Sequence, residues 1–133
     1  ENELVMLRAK NERLIPQEQR VLSRDDITRL IEMVKDVRAD DRVLEYIRDI
    51  IVASRSHEKL LLGGSPRASI ALLKASKAYA AVQGRDYVVL EDVHYLLPRV
   101  LGHRLIVKPE LELENLTAAE VIGDLLEAVD APV

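Results

Sequence analysis

Cysteine is absent from this sequence, and so are phenylalanine and tryptophan. Without cysteine there is no disulfide framework and no thiolate metal site, a pattern that leads us to expect a cytoplasmic protein. Four tyrosines are the whole aromatic complement, so any core must be built from aliphatic side chains. Basic charge is also short: 19 Lys and Arg face 23 Asp and Glu, for a net charge of −4. That balance excludes the cationic stripe on which duplex nucleic acid binding depends. No run of about 18 or more apolar residues exists, so no membrane span is expected, and no signal-peptide pattern opens the chain. The chain opens on Glu1-Asn2 without a methionine, which leads us to expect a piece of a longer protein.

Apolar residues make up 48% of the 133, dominated by Leu, Ile, Val and Ala. A chain of that size and composition buries enough surface for one compact domain, and it favours helices packed on helices over a sheet sandwich. The helical signals nearly tile the sequence. Residues 2–13 read as a first amphipathic helix, with Leu4, Leu7 and Leu14 on one side and Pro16 ending it. Ser23 is a fitting N-cap, with Asp25 and Asp26 in the first turn. Ile27, Leu30, Ile31 and Val34 then form a helical stripe. Asp40 or Asp41 opens the next helix, in which Val43, Ile47, Ile50 and Ile51 repeat that spacing up to Ser54–His57. The LLLGG segment that follows reads as a loop.

Ser65 at N-cap and Pro66 at the first helical position open a central helix that runs to about Val82. Gly84 can end it in the left-handed conformation. Its alanines at 68, 71, 75 and 78 allow close approach of a neighbour. Residues 85–93 predict a short extended stretch and then a new helix, which Pro98 should kink or split. Segment 104–108 has β character and could pair weakly with 20–22. Thr117 and Glu120 form a capping box for the last helix, to about Val129. The expected fold is all-α: a small bundle of about six helices with room for one very short β pairing.

Several chemistries are missing. No Gly-Lys pair exists, so there is no P-loop, and no G-x-G-x-x-G occurs. In GGSPR, Arg67 stands where a nucleophile elbow requires glycine. The three histidines, His57, His94 and His103, lack metal-ligand spacing, so no metal site is expected. The acidic pairs suit helix starts better than acid–base catalysis. By itself the chain is not expected to be an enzyme.

Arg67 is out of place. It is the first charged residue of the central helix, at an end that favours anions. It could bridge to a nearby carboxylate such as Glu58, which contributes little. Alternatively, free N–H groups at the helix start and a five-donor guanidinium could hold a phosphate, with Gly63 and Gly64 permitting close approach.

The run LGGSPRASIALLKASKAYAAVQGRDYVVLEDVHYLLPRVLGHRL resembles the C-terminal lid of AAA+ ATPases of the MoxR family. There a G-A/G-S-P-R-A segment opens a lid helix and supplies the sensor-2 arginine. G-R-D-Y-V-x-x-x-D-V and V-L-x-H-R-L stretches follow in that family, as they do here at 84–93 and 100–105. The upstream residues SRDDITRLIEMVKDVRADDRVLEYIRDIIVASR match the earlier lid helices, so the likeness covers essentially the whole chain. Residues 1–16 would join the ATPase core to the lid, and 17–133 would be the lid. The sequence departs from the pattern at Leu90, where a Thr or Ser N-cap is usual, and at Gly64, where alanine is commoner. The core motifs are not in this chain.

The resemblance implies that Arg67 contacts the γ-phosphate of ATP, with Ser65 and Gly64 shaping that contact. It implies Mg2+ and ATP in the full-length protein, bound mainly by the core. Expected partners are the protein's own core, neighbouring subunits of a hexameric ring, and von Willebrand factor A-domain proteins. Arg55, His103 and Arg104 are candidates for interdomain or intersubunit contacts. A different class of function remains open, an autonomous helical adaptor that binds an amphipathic peptide in a groove. A P-loop within about 250 residues upstream of Glu1 would favour the ATPase lid. A start codon close to Glu1 would favour the adaptor.

Overall fold

The computed structural model describes residues 3–5 and 21–132. The expected first helix and the 1–16 joining segment fall almost wholly outside them; residues 3–5 are helical. Contacts divide the chain into two units, Glu1–Leu30 and Ile31–Val133. From residue 21 onward the order is α1 (Arg24–Asp36), α2 (Asp41–Ser56), β1 (Leu60–Leu62), α3 (Pro66–Val82), α4 (Leu90–Leu101), β2 (Ile106–Val107), α5 (Pro109–Glu112) and α6 (Ala118–Ala128). The all-α bundle with one minute sheet is what the sequence predicts.

Helix starts follow their capping chemistry. At α1 the Ser23 hydroxyl accepts from the Asp26 N–H at 3.1 Å, and the Asp26 carboxylate accepts from the Ser23 N–H at 2.8 Å. Asp40 caps α2 by accepting from the Arg42 N–H at 3.0 Å. The Thr117–Glu120 box closes reciprocally at α6, with bonds of 2.8 and 3.3 Å. α3 ends at Gly84, whose φ of +75° is the left-handed conformation its sequence position predicts.

The core lies among α2, α3, α4 and α6. α3 packs on both α2 and α4, and α6 packs on the same two helices. Ile50, Ile51, Leu72, Leu97, Leu101, Ile122 and Leu125 are fully buried. Each such side chain contributes roughly 1.5–3 kcal/mol of transfer free energy. Of the four alanines expected to face a neighbour only Ala68 is buried; Ala71, Ala75 and Ala78 are half-buried, and the buried face of α3 is Ala68, Leu72, Ser76 and Ala80.

Four expectations need correction. The α1 stripe is not buried: Ile27, Leu30 and Ile31 are about half exposed, and α1 contains no buried residue. The periodicity marked a helix but not a covered face. Second, segment 106–107 pairs antiparallel with Leu60–Leu62 rather than with 20–22, so the expected LLL loop is a strand. β propensity could not select between two equally short partners; Leu60 and Val107, opposite one another, are both buried. Third, Pro98, exposed near the C-terminal end of α4, does not split that helix. Fourth, the N-cap of α4 is Val89, with Leu90 already helical. A side-chain cap is absent there, as the sequence implies, and Asp92 supplies the compensation.

Asp92 is 2% exposed and accepts two bonds from Arg85, at 2.8 and 2.6 Å, and one from the Val89 N–H at 2.9 Å. It thereby ties the loop after α3 to the first turn of α4. Burial alone would raise its pKa. The Arg85 hydrogen bonds, the Val89 N–H and the guanidinium charge outweigh burial and hold it below 3.8. A carboxylate with a depressed folded-state pKa stabilises the fold above its ordinary value, and this contribution is lost as pH falls through the lower folded value. We therefore expect Asp92→Asn to lower stability at pH 7 by about 2–3 kcal/mol. It should also flatten the loss of melting temperature that the parent chain shows below about pH 4. An unchanged acid limb in thermal melts across that range would contradict this assignment.

Candidate functional site

The GGSPR segment joins β1 to α3, and the end of α2 grips it. Ser54, fully buried in the last turn of α2, accepts a hydrogen bond from the Gly64 N–H at 2.8 Å and donates to the Ile51 carbonyl at 2.7 Å. Its neighbour Arg55 donates Nε to the Gly64 carbonyl at 2.8 Å. Both polar backbone atoms of Gly64 are thus held by adjacent residues of one helix. Gly63 packs flat against the same turn, where a Cβ would land on the Ser54 carbonyl oxygen. Gly63 therefore serves close approach to α2 as well as backbone freedom.

The chain then enters α3. Ser65 occupies the N-cap in extended geometry (φ −81°, ψ 166°), but its exposed hydroxyl makes no capping bond. Pro66, with its fixed φ and no N–H, is the first helical residue. Arg67 follows on the exposed side of the first turn. Among the described residues its guanidinium has no hydrogen-bond or ion-pair partner, so the bridge to Glu58 does not form. Its five donors therefore meet no acceptor among the described residues, at a helix end that carries partial positive charge.

Few backbone donors are open at this helix start. Pro66 has no amide proton, and the Ala68 N–H is engaged by the Ser65 carbonyl at 2.8 Å. Of the first three helical residues, only Arg67 keeps a backbone N–H outside these bonds. The open donors at this helix start are therefore mostly those of the Arg67 side chain.

The other residues singled out from the sequence separate. Arg55 holds the loop, a role that sequence reasoning did not assign to it. His103 and Arg104 are exposed after α4 with no partner among the described residues. His57 and His94 belong to other contacts: His57 lies 3.9 Å from Asp124, and His94 meets the Tyr46 hydroxyl at 2.9 Å. No cluster of three or more His, Asp or Glu among the described residues could hold a metal. No helix among them is long and apolar enough to cross a membrane. Ser54 was missed altogether. The only local signal was that it continues the Val43, Ile47, Ile50, Ile51 stripe with a hydroxyl at a core position.

Two glycine variants separate packing from conformation. Gly63→Ala drives a methyl into backbone and should lower stability by about 2 kcal/mol or more. Gly64→Ala brings a methyl to 3.3 Å from side-chain atoms of Ile51 and Ser54, a milder crowding than the backbone clash at Gly63, so its effect should be smaller. Melting temperatures of the two proteins check the contrast, and equal shifts would refute it.

Comparison with known proteins agrees with this geometry. Residues 52–125 match the AAA lid domain family. The chain is 42% identical over 113 residues to the uncharacterized protein YeaC of Bacillus subtilis, covering 85% of this chain and 35% of that protein. It is 32% identical over 126 residues to the chaperone MoxR1 of Mycobacterium tuberculosis, covering 88% of this chain and 33% of that one. A crystal structure of a predicted ATPase from Cytophaga hutchinsonii superposes with a TM-score of 0.86 at 28% identity, over 99% of this chain and 43% of that one. The chain thus spans about a third of the curated relatives it matches. With the family's domain matched over most of the bundle and the GGSPR helix start in place, the chain belongs to the AAA lid domain family, as the lid of a MoxR-family AAA+ protein.

Proposed function

We propose that this lid closes over ATP held by the ATPase core of its parent protein, with Arg67 as the sensor-2 residue that meets the γ-phosphate. The observation that carries this reading is the exposed guanidinium of Arg67, without a partner among the described residues, in the first turn of a helix whose leading loop is clamped at Gly64 from both sides. A rigid base under a free cation fits an anion that arrives from another domain. Ser65, with an uncommitted hydroxyl, and Gly64, at the clamped turn, shape the approach.

Mg2+ and the phosphate-cradling groups would come with the core, since the described residues of this chain offer no metal cluster. ATP supplies the phosphoryl group; this chain supplies charge and orientation. When charge grows on the transferring phosphoryl oxygens, a fixed guanidinium stabilises it more than it stabilises the ground state. The same contact draws the lid toward the core while the γ-phosphate is present and releases it afterwards, a hinge-type switch. In the intact protein this cycle would drive a cytoplasmic, hexameric ring that remodels or matures partner proteins, von Willebrand factor A-domain proteins among them. One curated relative bears the name chaperone, which supports that direction.

Arg67→Ala in the full-length protein should depress ATP turnover by about tenfold or more, the scale of losing one charge clamp on the transition state. The lid chain by itself, assayed alongside, should hydrolyse no ATP. Wild-type turnover in the Arg67→Ala protein would remove the sensor-2 role.

A further inference from the structure

We infer that Arg55 is a positioning residue for Arg67: by holding the Gly64 carbonyl, opposite the Ser54 grip on the Gly64 amide, it fixes where the sensor guanidinium reaches. This inference rests on the nucleotide role proposed above.

Gly64 is three residues before Arg67, and what lies between transmits position well. Pro66 has a fixed φ, and Arg67 is already helical. The weak point is the glycine pair, which without restraint samples far more backbone conformations than other residues. Ser54 and Arg55 remove that freedom at both polar atoms of Gly64, with bonds of 2.8 Å each. Ser54 is itself fixed, because its hydroxyl donates to the Ile51 carbonyl. The start of α3 is therefore referenced to the last turn of α2, whose stripe is anchored in the core by Ile47, Ile50 and Ile51. Catalytic contacts are sensitive to small displacements, and about 1 Å of misplacement can lower a rate about a hundredfold. A single hydrogen bond from an exposed arginine, by contrast, contributes little to stability. The two roles differ in magnitude, so they can be told apart.

Arg55 binds the loop through Nε and not through its terminal nitrogens. In glutamine the side-chain nitrogen stands the same number of bonds from the backbone as arginine Nε. Arg55→Gln can therefore keep the bond to the Gly64 carbonyl while discarding the charge. Lysine places its ammonium one atom further and keeps the charge.

The experiment measures ATP turnover, KM for ATP and melting temperature on full-length protein carrying Arg55→Ala, Arg55→Gln, Arg55→Lys, Arg67→Ala, and the Arg55→Ala/Arg67→Ala pair. We expect Arg55→Ala to lower kcat at least about fivefold with a smaller change in KM. The melting temperature should shift by only a few degrees. Arg55→Gln should restore most of the lost turnover. Adding Arg55→Ala to Arg67→Ala should cause no further loss, because a misplaced group that has been deleted cannot be misplaced again. Unchanged kcat in Arg55→Ala, or losses that multiply in the double variant, would overturn the positioning role while leaving Arg67 its own. Recovery by lysine but not glutamine would also overturn it, by assigning the Arg55 charge to the phosphate directly. Full turnover in Arg67→Ala would overturn both readings together, and that single-variant result distinguishes the two failures.

Discussion

Close packing of α3 between α2 and α4 is the constraint on which everything else in the bundle depends. It is possible because α3 presents Ala68, Ser76 and Ala80 as fully buried small residues. With no phenylalanine or tryptophan available, the remaining volume is filled by branched aliphatics, Ile50 and Ile51 from α2 and Leu97 and Leu101 from α4. Small residues at these positions of the central helix leave room for the large side chains around it. α6 then completes the core by packing on α2 and α4 through Val121, Ile122 and Leu125.

That packing decides where the functional loop can lie. Because α2 is seated against α3, its last turn faces the loop that leads into α3. A buried serine and a neighbouring arginine can then bond to that loop instead of to solvent. The arrangement is economical in charge. Arg55 is used on a carbonyl and Arg85 on the buried Asp92, while Arg67 is left without a partner among the described residues. Three arginines in one small bundle thus have three different physical situations, which composition cannot distinguish.

Much of the fold could be read from local rules. The starts of α1, α2 and α6 and the end of α3 at Gly84 follow from capping, because a cap is a bond between residues only a few positions apart. The candidate site was legible only in part. Arg67 stood out because its charge conflicts with the helix end that carries it, a local contradiction visible in the order of residues. Ser54 and Arg55 were not legible as partners of Gly64. Their bonds span nine or ten residues and require β1 to turn back toward α2. The exposed stripe of α1 shows the opposite failure, since Ile27, Leu30 and Ile31 carry a perfect helical period without a covering surface.

The sequence alone determined that this chain is helical, where most of its helices begin, and which arginine sits at a helix end that disfavours its charge. These are properties of neighbours within a few residues, where backbone hydrogen bonding and dipoles act. Only the tertiary structure decided that Leu60–Leu62 pairs with Ile106–Val107, that Pro98 leaves α4 unbroken, and that Gly64 is held at both its amide and its carbonyl. Those outcomes depend on which surfaces meet. Surfaces meet according to the volumes and shapes of buried side chains far apart in the chain, which no local pattern encodes.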